Sequence, residues 1–269
     1  MTILTLLTPT NLFHVVVKIS PIIVEWELLA VEEGVTTTVS VHRDPAKGSL
    51  QLRSSGQDIA GDSYSARGDQ KMLGHFGILL NRNARRVLSV GFGSGETTAC
   101  LARHHLEKVD CVEIAPEVVK VAMKFFNHLN LGDQLDEEIN MIFMDAKNYI
   151  HLTGETYDVI VNDSIHPRDF AENASLYGKE YFESAKKHLN EKGIIMSWLP
   201  LYNMPGSVFK SIIGTLMEAF PYVTIWYPAV HPAPLVLIVG SSEPQYFSPR
   251  HIETELLKKG IRRSLSEIN

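Results

Sequence analysis

The chain has only two cysteines in 269 residues, Cys100 and Cys111, with no CxxC pair and no His/Cys cluster. That leaves no disulfide framework and no metal-ligand set, so both thiols read as small core residues and no metal is expected. A basic face of the kind a nucleic-acid binder carries is also missing. Lys and Arg number 25 against 31 Asp and Glu, for a net charge of −6, so no nucleic-acid partner is expected. Mild acidity suits a cationic ligand. No basic residue precedes Lys18 in the apolar stretch Met1 to Val17, which contains Pro9, Asn11 and His14 and is followed by no small-residue cleavage site. That pattern fits neither a signal peptide nor a membrane span. The stretch reads as an N-terminal strand or arm, or as the edge of a longer, membrane-attached protein. Internal repeats and low-complexity segments are lacking as well.

What is present is a β-rich start followed by a regular alternation. Val35 to Val41 is dense in β-branched residues, Asp44-Pro45-Ala46-Lys47-Gly48 is a turn, and Ser49 to Arg53 returns as the partner of a hairpin. Gly56 to Ser65 reads as polar loop. From about residue 69 the spacing predicts helices at 70–81, 96–105, 116–127, 180–189 and 208–220. Strands are predicted at 87–90, 109–114, 141–144, 157–163, 193–198, 222–227 and 235–239. Such alternation predicts an α/β fold: a doubly wound, mostly parallel, seven-stranded Rossmann-like sheet with a small N-terminal β-hairpin domain. The expected division is 1–62 for the β domain, 63–245 for the catalytic domain and 246–269 for a helical tail. The tail (His251 to Leu265) is amphipathic, with a basic face, and is expected on the outside.

In such a sheet ligands lie across the carboxyl ends of the strands. The first strand runs into Gly91-Phe92-Gly93-Ser94-Gly95, and the second ends in Glu113-Ile114, about 20 residues on, where a carboxylate can take both ribose hydroxyls. The third ends in Asp145-Ala146 and the fourth in Asp163-Ser164. The glycine turn alone is shared by dinucleotide and S-adenosylmethionine (AdoMet) enzymes. Four successive polar tips are the layout of a class I AdoMet fold, with glycines at the amino-acid end, an acid on the ribose, an Asp beside the adenine amine, and a fourth tip facing the transferring carbon. Taken singly, Asp145 reads equally well as a helix cap. His104 and His105 read as surface residues at a helix end, His151 as a solvated helix residue, and the run Asp133, Asp136, Glu137, Glu138 as a solvated loop. Trp198 is core or pocket wall.

The stretch Tyr157-Asp158-Val159-Ile160-Val161-Asn162-Asp163-Ser164-Ile165-His166-Pro167, followed by Leu176-Tyr177-Gly178-Lys179-Glu180-Tyr181-Phe182, resembles the polyamine aminopropyltransferases, the spermidine and spermine synthases. Their pattern there is roughly YDVIIxDSxDP, a gate segment and LFxxEFY. Met72-Leu73-Gly74-His75 resembles their MLxH helix, and Trp198 to Tyr202 and Phe220 to Ser241 resemble their C-terminal half. The likeness runs over about residues 31–245 and is greatest to a divergent bacterial branch often fused to membrane segments.

The resemblance implies a transferase of polyamine biosynthesis. It would use decarboxylated AdoMet as co-substrate, a small amine as acceptor, and no metal, as a cytoplasmic homodimer paired through the N-terminal β domain. Asp163 matches the catalytic Asp, which orients or deprotonates the attacking amine. Gln70, Glu113, Asp145 and Ala146 match donor-contacting positions, beside Gly91, Gly93, Ser94, Gly95 and Ile114. Tyr177 falls in the gate region, and Ser164 and Trp198 fall beside the acceptor. The chain departs from the family at the amine. Ser94 stands where the glycine loop usually carries an ammonium-holding Asp, and His166 replaces the second acid of DSxDP. Ser65 to Lys71 replaces DExxYxE, with Asp69 where a substrate-contacting Tyr is usual, and His231 falls near another such Tyr. These departures remove acids and add histidines and bases, which points away from putrescine as acceptor. Two alternatives remain: a methyltransferase using ordinary AdoMet, motivated by Ser94, and a non-catalytic nucleotide-binding homologue, motivated by the lost acids.

Overall fold

A computed structural model describes residues 26–164, 174–228, 235–246 and 248–268. The expectations for Met1 to Val17, His166 and His231 therefore lie outside the described residues.

The N-terminal module is larger than the predicted hairpin. Strands β1 (Glu27–Glu33), β2 (Thr38–Arg43), β3 (Leu50–Ser54) and β4 (Gln57–Gly61) form a four-stranded antiparallel sheet in sequential order. Strand β4 occupies the stretch expected as loop. Ser55 and Gly56 both take positive φ, 47° and 82°, and reverse the chain in two residues so that Ser54 pairs Gln57. This is the geometry that matches hairpin twist. Val39, Val41 and Leu52 on the inner face pack against Val118 and Val121 of helix α3 (Pro116–Phe125). The small sheet is thereby clamped over one end of the large one.

Helix α1 (Tyr64–Leu80) starts earlier than its apolar period predicts, because Ser63 caps it, accepting from the Ala66 N–H. The alternation then runs β5 (Arg86–Val90), α2 (Glu96–Ala102), β6 (Lys108–Glu113), α3, a short helical turn α4 (Leu135–Glu138), β7 (Asn140–Phe143), α5 (Ala146–Leu152) and β8 (Tyr157–Asn162). It continues through α6 (Lys179–Lys187), β9 (Leu189–Pro200), α7 (Gly206–Ala219), β10 (Tyr222–Trp226) and β11 (Leu235–Ser241). The acidic run expected as loop is thus partly helical. The large sheet has the order β10-β11-β9-β8-β5-β6-β7. Strands β7, β6, β5, β8 and β9 pair in parallel and β11 is reversed. The doubly wound seven-stranded expectation is met.

Its central strands are covered on both faces, which is why they read as unbroken apolar runs. Leu88, Val90, Ile160 and Ile195 meet Ile150, Phe182 and Leu216 on one face, while Val87, Val159, Val161 and Met196 meet Leu73, Leu101 and Ala122 on the other. The chain order reverses between β5 and β8, so the crevice for a ligand opens at their carboxyl ends.

The tail forms two helices, α8 (Pro249–Leu257) and α9 (Lys259–Ser266), and it is not simply external. Ile261 and Ser264 are fully buried against α1 and α2. Beneath them lies a polar network. Lys71 Nζ sits 3.1 Å from Glu96 and 3.0 Å from Glu267, and Arg67 sits 3.0 Å from Glu96 and 2.7 Å from Glu267. His75 joins His104 at 2.9 Å and Ser264 Oγ at 3.0 Å. His104 is therefore a buried residue rather than a surface one, because the tail covers it, whereas His105 and His151 are exposed as expected. Burial pushes the His75 imidazole down to about 3 and that of His104 down to about 4, so both are neutral at ordinary pH. Cys100 and Cys111 are buried free thiols.

Candidate active site

The glycine turn joins three strand tips. Gly91 N–H donates to the Val112 carbonyl at 2.8 Å, and Asp163 N–H donates to the Val90 carbonyl at 2.9 Å. Gly91 has φ +90°, and a Cβ there would lie 2.6 Å from the Asp163 carbonyl oxygen. Both facts demand glycine. Gly91→Ala is expected to cost about 1–3 kcal/mol of stability and to abolish any reaction that depends on the placement of Asp163. Urea unfolding and an activity assay would check this. Gly93 brings the turn against the small sheet, where a Cβ would lie 3.3 Å from the Ala60 Cβ.

Two cavities meet at this point. The first, about 350 Å³, is lined by Gly91, Gly93, Glu113, Ile114, Asp145, Ala146, Asp163 and Ser164, with Thr36, Thr37, Ser54, Ser55 and Ile59 from the small sheet. Glu113 is buried, and its two oxygens accept from the Phe92 and Ala115 N–H groups, both at 2.9 Å. Each oxygen keeps a lone pair for a further donor, which suits a vicinal diol. Burial pushes its carboxyl up and these backbone donors pull it back. Asp145 is a helix cap that stands on the cavity wall. One oxygen caps α5, accepting from Asn148 N–H at 2.8 Å, and the residue also lines the cavity. Ile114 and Met144 are large apolar side chains left exposed beside it.

The second cavity, about 650 Å³, is lined by Asp69, Gln70, Leu73, Gly93, Asp163, Ser164, Trp198, Tyr202 and Asn203, and by Gln51 to Ala60 of the small sheet in part. Asp163 and Ser164 thus face both spaces. Burial pushes the Asp163 carboxyl up to about 7, the Asp69 and Glu113 charges add to this, and the Thr97 hydroxyl opposes it. Asp69 is pushed to about 7 by burial. Trp198 is a pocket wall that also packs on the core, and its Nε1 donates to the Ser164 carbonyl at 2.6 Å.

Other expected site residues stand behind these walls. Ser94 is fully buried, lines neither cavity, and donates its hydroxyl to Gln70 Oε1. Gln70 lines the second cavity, not the first, and its Nε2 ties α1 to the Gly61 carbonyl at 3.1 Å. Gly95 starts α2 at φ +83°. Tyr177 is a buried strut, its hydroxyl donating to the Trp198 carbonyl at 3.0 Å. Arg67 and Lys71, expected as bases gained by the amine pocket, point away from it into the tail network. The sequence reading missed the small sheet as a wall of both cavities. The Ser54-Ser55-Gly56 turn was the available signal.

The fold and this series of strand tips define the scaffold of class I AdoMet-type transferases. The Spermine/spermidine synthase domain model matches residues 67–245, more than half of the chain. The chain belongs to the spermine/spermidine synthase family. A polyamine aminopropyltransferase of Clostridium beijerinckii is 29% identical over 201 residues, covering 71% of this chain and 68% of the relative. That of Pectobacterium atrosepticum is 30% identical over 128 residues, covering 47% and 44%, so the match spans less than half of that relative. A spermidine synthase solved in complex with the transition-state analogue AdoDATO shares the fold at TM-score 0.70 and 18% identity, covering 87% of this chain and 78% of that one. A spermidine synthase from Thermotoga maritima does so at TM-score 0.69 and 18% identity, with the same coverage.

Proposed function

We propose that this chain is an aminopropyltransferase that moves the aminopropyl group of decarboxylated AdoMet to an amine. The observation that carries the reading is Asp163, a half-buried carboxylate at the junction of two cavities. One of these is furnished for an adenosyl group and the other is open to an acceptor. Family membership and the relatives' names support it, as does the related synthase crystallised with AdoDATO.

In this reading Glu113 takes the ribose hydroxyls and Asp145 the adenine amine, while Ile114 and Ala146 flank the base. Gly91, Gly93 and Gly95, with Ser94 and Gln70 braced behind them, keep the turn open to the donor. The amine nitrogen attacks the aminopropyl carbon that is bound to sulfur. The S–C bond breaks, its electrons leave on the neutral thioether of methylthioadenosine, and the proton shed by nitrogen goes to Asp163. With its carboxyl held near 7, Asp163 can accept that proton at neutral pH. Because the leaving group is already cationic, positioning by the two cavities supplies much of the rate. Ser164 and Trp198 line the acceptor side, and Tyr177 braces Trp198 from behind.

Residues 1–62 act as the wall and pairing domain, 63–245 as the catalytic domain and 246–269 as the tail. The exposed Leu28, Val31 and Val35 of the small sheet support a homodimer there. The two unpaired thiols support a reducing, cytoplasmic location. Among the described residues no helix is long and apolar enough to cross a membrane.

A second reading, methyl transfer from ordinary AdoMet, is favoured by one observation: the glycine turn carries neutral Ser94 and no carboxylate. Chromatography of the nucleoside product separates the two. Methylthioadenosine released from decarboxylated AdoMet in the presence of an amine pool is the expected result. S-adenosylhomocysteine formed from AdoMet, with no methylthioadenosine, would overturn it.

A further inference from the structure

One stripe of α1 lines the larger cavity, and the opposite stripe is sealed against α2 and the tail. There Lys71 is fully buried, its Nζ 3.1 Å from Glu96, 3.0 Å from Glu267 and 3.1 Å from the Ser264 hydroxyl. Arg67, one turn earlier, reaches the same two carboxylates at 3.0 and 2.7 Å. Two cations thus balance two carboxylates, and the four side chains come from α1, the first residue of α2 and the end of the tail. A pair as deep as Lys71 and Glu96 gains little stability, because desolvating both charges consumes most of the attraction. Nor is it optimised for stability: Glu96 Oε1 serves both cations, while its Oε2 is buried with no partner among the described residues. What the network does fix is the register of α1, α2 and the tail, since its charges are matched in that arrangement alone.

On both helices the neighbouring residue belongs to the site. Gln70 precedes Lys71, and Thr97 follows Glu96. The buried Thr97 hydroxyl lies 3.2 Å from the Gln70 carbonyl oxygen and also reaches the Asp163 carboxyl. It has one proton to donate. When Asp163 is ionised, the carboxylate is the stronger acceptor and takes that bond. The two helices pack closely here, for a Cβ on Gly74 would lie 2.4 Å from the Cys100 Cβ. Gly95, at φ +83°, joins Glu96 directly to the glycine turn.

We propose that Lys71, Glu96 and Glu267 form a positioning unit for Asp163. The tail carboxylate closes the buried charge network, the network sets the first turn of α2, and Thr97 on that turn holds the Asp163 carboxylate for the amine. The role of Asp163 here rests on the transfer reading. None of the three residues lines either cavity, so they act on the reaction through Thr97. Removal of the Glu267 charge leaves two cations sharing one buried carboxylate, and the first turn of α2 is drawn towards them, away from Asp163.

The test is a double-mutant cycle on Thr97→Val and Glu267→Gln. It is read by the pH profile of kcat and by carboxyl-carbon NMR titration of Asp163, whose signal is the one missing from Asp163→Asn. Besides Thr97, the Asp163 carboxyl is faced by Asp69 from α1, Glu113 and Cys111 from β6, and Tyr177, and both substitutions leave these in place. Losing a hydrogen bond to the ionised form raises the midpoint. Each single variant is therefore expected to move it up from about 7 by about one pH unit, the worth of one such bond. Turnover then falls about fivefold at pH 7 and recovers at pH 9, with methylthioadenosine affinity and donor KM unchanged. The double variant should match either single one. Glu267 lies at the exposed end of the network, so its variant should fold. Lys71→Met with Glu96→Gln, a neutral replacement of a kind that buried pairs often tolerate, should raise the midpoint likewise. A lowered Tm with the Asp163 midpoint unmoved would make the network structural only and overturn the proposal, as would shifts that add in the double variant. A wild type that forms no aminopropyl product while the NMR cycle holds would overturn the transfer reading alone.

Discussion

Asp163→Asn is expected to lower kcat by about 10²- to 10⁴-fold, the usual worth of a positioned general base, with decarboxylated AdoMet affinity nearly unchanged. The change is isosteric. The Asp163 N–H bond to Val90 and the close approach of its carbonyl to Gly91 belong to the backbone and survive it. What is lost is the group that takes the proton as the amine nitrogen forms its new bond. The same variant should be more stable at pH 8. The folded carboxyl titrates near 7 against an ordinary 3.8, so the folded state binds more protons between these values and wild-type stability declines across that window. The Asp69 charge adds to the upward push on Asp163. Steady-state kinetics, donor calorimetry and thermal melts at pH 5 and pH 8 check all three expectations. A variant with full turnover would remove Asp163 from the mechanism.

The second large effect is expected at Glu113. Glu113→Gln should raise the donor KM by about 10²-fold, from the loss of charge-assisted bonds to a diol. Here the substitution is not benign. Both Glu113 oxygens already accept backbone N–H groups, from Phe92 and from Ala115. A glutamine must set its NH₂ against one of them, leaving a buried donor without an acceptor and pushing on the glycine turn. The Tm should fall together with methylthioadenosine affinity. Calorimetry with methylthioadenosine reads the effect directly, and unchanged affinity would place the ribose elsewhere.

The large sheet was legible because its central strands are buried on both faces and so stand out as apolar runs, with Gly91, Glu113, Asp145 and Asp163 at the strand tips. Those tips converge at the switch between β5 and β8 for reasons of topology alone. The small sheet was half legible. Its β2 and β3 are dense in β-branched and apolar residues, but Gln57–Gly61 has a polar sequence and is held as a strand by pairing with β3 and by a two-residue turn at positive φ. Orientation on α1 was misjudged. The bases that Ser65 to Lys71 brings, Arg67 and Lys71, lie by helical period on the stripe opposite Asp69 and Leu73. His104 could not be read as buried, because what covers it is a tail about 150 residues away in sequence, a contact that no local pattern encodes.

The measurement that tests the account most directly is mass spectrometry of the amine pool after incubation of the wild-type protein with decarboxylated AdoMet. Asp163→Asn serves as the parallel control. The expected result is an amine heavier by one aminopropyl unit, formed in equal amount to methylthioadenosine and almost absent with the variant. Unchanged amines from a wild-type protein that binds the donor would contradict it.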